Sequence, residues 1–255
     1  MSPSTDNAFL SALEAEDFAR IRPDLTHLHL EAGAVVFEPD QPVDFVYFPT
    51  SAVLSVITVM GDGRAVETAT VGSEGVVGLL PALGGTRSLS QTVVQISGDV
   101  QRLPVAGFRQ LAFSSPSLRD LVVCHALLNT AQAQQSVACN ALHDLVSRLA
   151  RWLLLSQDRT RSRVIRLTQE YLAIMLGVQR TTVTMAARTL QDAGLIEYSR
   201  GAIRILDRPG LERAACECYA AGRETMMRLF SSMKSPHRAH YHDGGASGGQ
   251  EAPSA

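Results

Sequence analysis

Polar side chains gather in one short stretch directly after Gly177. They are Gln179, Arg180, Thr181, Thr182 and Thr184. The Arg180 guanidinium can form two hydrogen bonds to the edge of a guanine, and threonine side chains can contact phosphates or thymine methyl groups. This set indicates recognition of double-stranded DNA. No nucleophile paired with a base and no glycine-rich phosphate loop stands out in the sequence, so we expect a protein that is not an enzyme and has no catalytic residues.

Two helices joined by a tight turn are needed to present this stretch. Thr168 has a suitable side chain for the N-cap of the first helix, and Gly177 can adopt the positive φ that ends it. The second helix follows at once, and Gly194 is its expected stop. Two helices of about ten residues with a glycine-containing turn form the motif that places its second helix in the major groove of DNA. Residues 167–194 therefore predict a helix-turn-helix.

The residues after Gly194 predict a wing beside these helices. Residues 195–198 and 202–206 have the composition of two short strands joined around Arg200. Arg200 and Arg204 would then be available to the DNA backbone. An ordinary helical hairpin without a role in nucleic-acid binding is the alternative, and the glycine turn together with the wing favours DNA.

The distribution of charge supports the same interpretation. Residues 1–147 hold 7 Arg and 15 Asp or Glu, a net charge of −8. Residues 148–208 hold 11 Arg and 5 Asp or Glu, a net charge of +6, and the remaining residues balance at 5 against 5. The positive charge that could meet phosphates is thus concentrated around the predicted helix-turn-helix.

The overall composition is that of a globular protein, with 45 % hydrophobic and 19 % charged residues. No segment approaches eighteen uninterrupted apolar residues. The first twenty residues carry acidic side chains instead of the basic and apolar regions of a signal peptide. We therefore expect a cytoplasmic protein without a membrane partner.

The first half of the chain predicts a β domain followed by a long helix. Short β-branched or aromatic runs between residues 27 and 96 are separated by turns rich in Gly, Pro and Asp, which is typical of an antiparallel sandwich or barrel. A helical pattern then covers residues 118–142 and has few charges. Its apolar seam consists of Leu121, Val122, His125, Leu128, Ala131, Gln135 and Ala138. Either the β domain or the same helix of a second subunit should cover this seam.

The four cysteines do not have the spacing of a zinc knuckle, a redox pair or a secreted disulfide framework. Cys124 and Cys139 lie in helical patterns, where we expect them to be small buried apolar residues. Cys216 and Cys218 enclose too short a loop for an easy disulfide, and no third or fourth metal ligand lies near them in the sequence. No metal site is expected.

Between about Leu25 and Gly210 the chain resembles the Crp/Fnr family of transcription regulators. Residues 167–206 carry the most specific part of the resemblance. Residues 30–56 look like the start of that family's β-roll, and residues 140–154 look like its hinge and first DNA-domain helix. Asp144 occupies the position of the hinge aspartate.

The resemblance implies an α+β fold in three parts. An N-terminal antiparallel, jelly-roll-like β-roll would form a cyclic-nucleotide-binding-like sensor domain over residues 9–115. A long dimerisation helix would follow over 116–142, and a C-terminal winged helix-turn-helix would form the DNA-binding domain over 143–211. Residues 235–255 are rich in Gly, Ser, His and Pro, which predicts a disordered tail.

The resemblance also implies partners. A homodimer would read a palindromic DNA site, and RNA polymerase is the expected protein partner. Thr168 and Arg188 are carried over as phosphate contacts. Family members often place a glutamate after the recognition arginine and a second arginine four residues later, where this chain has Thr181 and Met185. We therefore expect a different operator sequence.

Cyclic-nucleotide members of the family use a Gly-Glu pair for the ribose hydroxyl and an arginine followed by a small residue for the phosphate. Glu74, Arg87 and Ser88 lie in the corresponding region here, but Ser73 separates Gly72 from Glu74. A cyclic nucleotide, another effector and no small ligand all remain open, so no cofactor is certain.

Other chemistries are possible alternatives. The iron–sulfur branch of the family uses cysteines near the N-terminus, where this chain has none. Haem could be held by His27, His29 or His125, although a lone histidine is more often structural. His27, His29 and Glu31 also invite a cupin-like metalloenzyme, which lacks its usual later histidine here. The last alternative is a protein-interaction module of the same fold that has lost DNA binding.

Overall fold

The computed structural model describes residues 5–85, 87–160, 162–199 and 201–233. Two short helices, α1 (Ala8–Ser11) and α2 (Ala15–Ile21), precede the first strand. The Asn7 side chain caps α1, because its Oδ1 accepts a hydrogen bond from the Leu10 backbone amide, and its Nδ2 donates to the carbonyl groups of Pro49 and Gly75. These bonds fasten the N-terminal segment to the β domain. The predicted tail at 235–255 lies outside the described residues.

The β domain consists of two antiparallel sheets. One sheet contains β1 (Thr26–Leu30), β7 (Gly98–Pro104) and β3 (Phe45–Pro49), in the order β1-β7-β3. The other contains β2 (Val35–Phe37), β6 (Gln91–Ile96), β4 (Val53–Val59) and β5 (Ala65–Val71), in the order β2-β6-β4-β5. Phe37, Leu54, Val71 and Val94 form the apolar centre of the second sheet. The predicted antiparallel β-roll is confirmed.

Helices cover one side of this roll. They are α3 (Leu79–Gly84), α4 (Val105–Ser114) and the long α5 (Pro116–Leu142). Ser115 starts α5 by accepting a hydrogen bond from the Leu118 amide, and Pro116 occupies the first turn, where no amide donor is needed. A buried cluster that includes Phe9, Phe48, Phe108 and Leu118 holds the helices on the sheet.

The predicted seam of α5 is largely covered within the chain. Leu121, Val122, His125 and Leu128 are buried against the helical layer and the roll. Ala138, at the far end of the seam, is exposed. A different row of residues on α5 faces solvent, at Val123, Leu127, Thr130, Gln134, Val137 and Ala141. The roll and the helices on it therefore cover Leu121, Val122, His125 and Leu128, as one of the two alternatives from the sequence expects.

The C-terminal part is a compact winged helix. It contains α6 (Leu145–Thr160), β8 (Val164–Arg166), α7 (Gln169–Leu176), α8 (Arg180–Asp192), β9 (Ile196–Ser199), β10 (Ala202–Ile205) and α9 (Arg208–Ala214). The three strands form an antiparallel sheet in the order β8-β10-β9. One apolar cluster, which includes Leu153, Leu172, Val183 and Ile203, joins helices and strands. Together with the roll and the long helix, this domain confirms the predicted α+β architecture.

A further helix that the sequence did not predict, α10 (Cys218–Met233), packs along α5. No helix within the described part of the chain is both long and apolar enough to cross a membrane.

Candidate nucleic-acid interface

Local capping signals determine where α7 begins and ends. The Thr168 hydroxyl accepts a hydrogen bond from the Tyr171 amide at 3.3 Å, which satisfies one of the free donors at the start of the helix. Gly177 ends α7 with φ of +65°, a conformation that is strained for residues with a Cβ atom. Leu172 and Leu176 point into the core. The turn then directs the chain into α8 as the sequence predicts.

The second helix has one buried and one exposed face. Its buried face consists of Val183, Ala186, Ala187 and Leu190. The exposed residues are Gln179, Arg180, Thr181, Thr182, Thr184 and Arg188. All the residues that we predicted to contact DNA from α8 therefore lie on one accessible surface, with Gln179 as the N-cap.

A shallow groove lies between α8 and the wing, and Arg180 lines it. The other lining residues are Thr168, Gln169, Tyr198 and Gly201. Arg180 Nε donates a hydrogen bond to Gln169 Oε1 at 3.0 Å, which restricts the direction of the guanidinium. Burial raises the pKa of Tyr198, so its phenol stays protonated at neutral pH and can donate a hydrogen bond. The sequence did not single out Gln169 or Tyr198, because Gln169 starts α7 and Tyr198 lies on β9, and only the folded domain brings both to Arg180.

The arginines near the motif do not all face this surface. Arg148 is buried and donates a hydrogen bond from Nη2 to the Leu176 carbonyl group. Arg204 lies opposite Glu197 on the wing, with Nε 3.3 Å from Oε2. Arg200, which we predicted as a backbone contact, lies outside the described residues. The net charge of +6 therefore overstates the positive surface that is free for phosphates.

Two further arginines stabilise contacts between distant parts of the chain. Arg208 Nη2 lies 2.7 Å from Asp158 Oδ1. Arg159 Nε lies 2.7 Å from Glu74 Oε1, and the side chains of this pair are only 8 % and 16 % exposed. The second pair joins the DNA-binding helices to the β-roll, because Arg159 belongs to α6 and Glu74 follows β5.

The three residues expected to bind an effector each have a different partner within the chain. Glu74 pairs with Arg159. Exposed Arg87 donates a hydrogen bond to the Asp40 carbonyl group, and the Ser88 hydroxyl donates to the carbonyl group of Ser90 at 2.7 Å. None of these three pairings resembles a phosphate or ribose site.

A cavity of about 90 Å³ lies between β5, α5 and the DNA-binding helices. Its lining includes Glu67, Thr70, Gln135 and Arg159 but none of the three expected effector residues. Burial raises the pKa of Glu67 on this lining. Since ligand pockets usually enclose about 300–1,000 Å³, this conformation offers no room for a nucleotide there.

The three histidines considered for haem or metal binding each have a partner within the chain. His29 Nδ1 lies 2.8 Å from Asp99 Oδ1, and His27 Nε2 lies 3.8 Å from the same oxygen, both on the exposed surface of β1 and β7. His125 is buried, with Nε2 3.0 Å from the Val76 carbonyl oxygen. The cupin-like set of His27, His29 and Glu31 is not among the groups of metal-ligand side chains that the described residues bring together.

The expectation for the cysteines is wrong in one respect. The structure brings Cys139 and His143 next to Cys216 and Cys218, so that ligand atoms of all four lie within 4.8 Å of one another. These residues are free thiols and an imidazole, and hydrogen bonding with Cys216 lowers the pKa of the Cys139 thiol. Cys216 and Cys218 therefore do have a third and a fourth potential ligand, which come from the end of α5.

A β-roll joined through a long helix to a winged helix-turn-helix defines a class of DNA-binding transcription regulators. The family comparisons agree with this class. Residues 27–115 match the model of the cyclic nucleotide-binding domain, and residues 147–214 match that of the Crp-like helix-turn-helix domain. The chain belongs to the Crp/Fnr family of transcription regulators, which are not enzymes.

Solved structures share the fold at low sequence identity. A Crp/Fnr-family transcriptional regulator from Eubacterium rectale is 19 % identical with a TM-score of 0.65, and the match covers 79 % of this chain and 94 % of that one. FixK2 from Bradyrhizobium japonicum is 17 % identical with a TM-score of 0.65, over 75 % and 98 % of the two chains. The c-di-GMP-responsive regulator CLP of Xanthomonas campestris is 16 % identical with a TM-score of 0.63, over 76 % and 100 %. No curated protein sequence matches the chain.

Proposed function

We propose that this regulator binds a palindromic DNA operator as a homodimer and that its β-roll senses a small effector. The observation that carries the DNA-binding part is the exposed polar face of α8, which lies beside the wing and has Arg180 at its start. A helix of this kind enters the major groove with its first residues against base edges. RNA polymerase is the expected protein partner, and the cytoplasm is the expected location.

The residues on this face would have different roles. Arg180 would read a guanine through two hydrogen bonds, with Gln169 holding its Nε. Gln179, Thr181, Thr182 and Thr184 lie beside it and would meet neighbouring bases or phosphates. Thr168 at the start of α7 and Arg188, eight residues after Arg180 on α8, would contact phosphates. Arg200 would do the same.

The exposed row on α5 supports a homodimer. Val123, Leu127, Thr130, Gln134, Val137 and Ala141 follow one another at alternating intervals of four and three residues, which is the spacing of a coiled-coil seam. Val123, Leu127 and Val137 are 58 %, 54 % and 71 % exposed in the single chain. A second copy of α5 would cover them. Two-fold symmetry would then place the two α8 helices about one DNA turn apart, roughly 34–36 Å.

Contacts between the roll and the DNA-binding domain offer a route for effector control. Besides the Glu74–Arg159 pair, the Ser55 hydroxyl and the Gln95 amide lie 3.4 Å and 3.3 Å from the sulfur of Met175 on α7. A ligand that favours a different arrangement of β4, β5 and β6 would change these contacts and with them the position of α8.

Specific DNA binding is tested by selecting bound genomic fragments with the full-length protein and measuring affinity for the selected site. Arg180→Ala should weaken binding by about 1–3 kcal/mol, roughly 5- to 150-fold, and relax the choice at one base pair. Arg188→Ala should weaken all sequences alike and lower the salt dependence by about one phosphate contact. Arg119→Ala at the start of α5 is the matched control and should change neither the affinity for DNA nor its salt dependence.

The results separate the proposal from its rival. Selection of a palindrome with half-sites one turn apart, lost in Arg180→Ala, supports a dimeric reader. If the wild-type protein selects no sequence, or if Arg180→Ala reads the same site with the same affinity, the chain is a member of the fold that does not use this surface for DNA.

A further inference from the structure

Four potential metal ligands meet where the long helix ends. Cys139 lies on the last turns of α5, and His143 follows that helix as its C-cap. Cys218 is the first residue of α10, which packs along α5, and Cys216 lies two residues before it. All three cysteines are buried, at 0 %, 8 % and 2 % exposure. Two ligands four residues apart at the end of α5 and two that flank Glu217 thus form a set that the fold itself assembles.

The distances within the cluster are close to those of a tetrahedral site. Zinc bonds of about 2.3 Å to sulfur and 2.0–2.1 Å to nitrogen imply S···S separations of about 3.8 Å and S···N separations of about 3.6 Å. Cys139 Sγ and Cys216 Sγ lie 3.5 Å apart. Cys218 Sγ lies 3.4 Å from His143 Nδ1. Each of these two separations is within a few tenths of an ångström of the value for a shared ion, and all the ligand atoms lie within 4.8 Å of one another.

The residues around the cluster resemble the outer shell that metal ligands require. Nε2 of His143 lies 3.9 Å from the Glu217 carboxylate, an arrangement that leaves Nδ1 free to bind metal. Gln135 Nε2 donates a hydrogen bond to Cys218 Sγ at 2.9 Å, and Arg151 Nη1 donates to Cys139 Sγ at 3.5 Å. Amide and guanidinium donors stabilise thiolates, which are the form that binds a metal.

We propose that Cys139, His143, Cys216 and Cys218 form a structural Zn²⁺ site. Three thiolates and one imidazole are a soft, four-coordinate set that suits Zn²⁺ and excludes Mg²⁺ and Ca²⁺. On binding, the three thiol protons pass to solvent, so the loaded centre carries a net charge of −1. The Arg151 guanidinium beside Cys139 offsets that charge. All four positions are filled by protein, so the site has no open coordination position for catalysis.

A zinc ion at this place would join three functional parts of the chain. It would clamp the start of α10 to the end of α5, and His143 directly precedes Asp144 at the hinge. The DNA-binding domain would then be attached to the long helix at both of its ends. This role does not depend on any particular operator or effector.

The test is the metal content of the full-length protein, prepared without a histidine tag under reducing conditions and measured by mass spectrometry of the elements. One zinc ion per chain is expected. Cys139→Ser, Cys216→Ser and Cys218→Ser should each lower zinc strongly, while Cys124→Ser, a thiol outside the cluster, should retain one ion. His143→Cys should restore the binding that His143→Ala loses, because it supplies a fourth thiolate.

A second measurement separates a lost ligand from a misfolded variant. Wild-type protein loaded with Co²⁺ alone should show the strong visible absorption of tetrahedral cobalt–thiolate coordination, and added Zn²⁺ should abolish it. The proposal is overturned if fully reduced wild-type protein holds no zinc and shows no such spectrum. It is also overturned if an iron–sulfur cluster occupies these four ligands. The same holds if protein purified from cells with a reducing cytoplasm contains a Cys139–Cys216 disulfide and no metal.

Discussion

The buried imidazole of His125 predicts a specific loss of stability at mildly acidic pH. His125 lies on α5 with 2 % of its surface exposed. Its Nε2 lies 3.0 Å from the Val76 carbonyl oxygen, and the Phe9 ring packs edge-on against it at a centroid distance of 5.7 Å. Burial lowers the pKa of His125 from 6.5 to about 4, with the Val76 carbonyl group and the charge of Glu74 opposing that change. The imidazole is therefore neutral in the folded protein at neutral pH.

The size of the effect follows from the two pKa values. Because the unfolded chain takes up the proton near pH 6.5 and the folded chain only near pH 4, the unfolded state binds more protons between these values. The stability associated with neutral His125 is complete above pH 6.5 and is lost as the pH falls towards 4. At about 1.4 kcal/mol per pH unit the full loss is about 3.4 kcal/mol. About 2 kcal/mol of it falls between pH 7 and pH 5.

Urea unfolding of the full-length protein, followed by circular dichroism at pH 7 and pH 5, measures this loss. In His125→Asn the decrease in free energy of unfolding between the two pH values should be smaller than in wild type by about 2 kcal/mol. Phe9→Leu is the matched control, since it weakens the same packing without removing a titrating group. It should lower stability at both pH values and keep the wild-type difference. If His125→Asn keeps that full difference as well, buried His125 is not its source.

Two further outcomes follow from other contacts. The buried Glu74–Arg159 pair should give a coupling energy of about 1–3 kcal/mol in a double-mutant cycle of Glu74→Gln and Arg159→Leu, and additive effects on unfolding would contradict a direct interaction. Gly177→Ala and Gly194→Ala should both destabilise the protein by about 1–2 kcal/mol because both glycines have positive φ. The loss should be larger at Gly177, where a Cβ atom would lie 3.2 Å from Val66 while Gly194 faces open space, and equal losses in thermal unfolding would argue against contact between α7 and β5.

The helix-turn-helix was predictable because its signals are local. Thr168 caps a helix that begins one residue later, and Gly177 and Gly194 have the positive φ that their positions in the turns require. Periodicity also separates the inner face of α8 from its outer face. A capping side chain or a glycine acts on backbone within four residues, so sequence alone contains the whole interaction.

Contacts between distant residues were not predictable in this way. Arg159 and Glu74 are 85 positions apart, and nothing near Arg159 in the sequence distinguishes it from an arginine that faces DNA. Cys139 and Cys216 are 77 positions apart, and α10 must pack along α5 before they meet. Periodicity also left open whether the β domain or a second subunit covers the α5 seam, since it identifies an apolar face without stating which surface packs on it.

The hinge shows how these local and distant contacts combine. His143 ends α5 in an extended conformation, and the Asp144 carboxylate accepts a hydrogen bond from the Ser147 amide at 3.1 Å, which starts α6 in a new direction. The return of α10 to α5 attaches the DNA-binding domain at its other end. A domain held at both ends cannot rotate freely about its hinge. If an effector acts on the β-roll as proposed, we expect its effect on α8 to begin where this domain meets the roll, at the Glu74–Arg159 pair and at Met175.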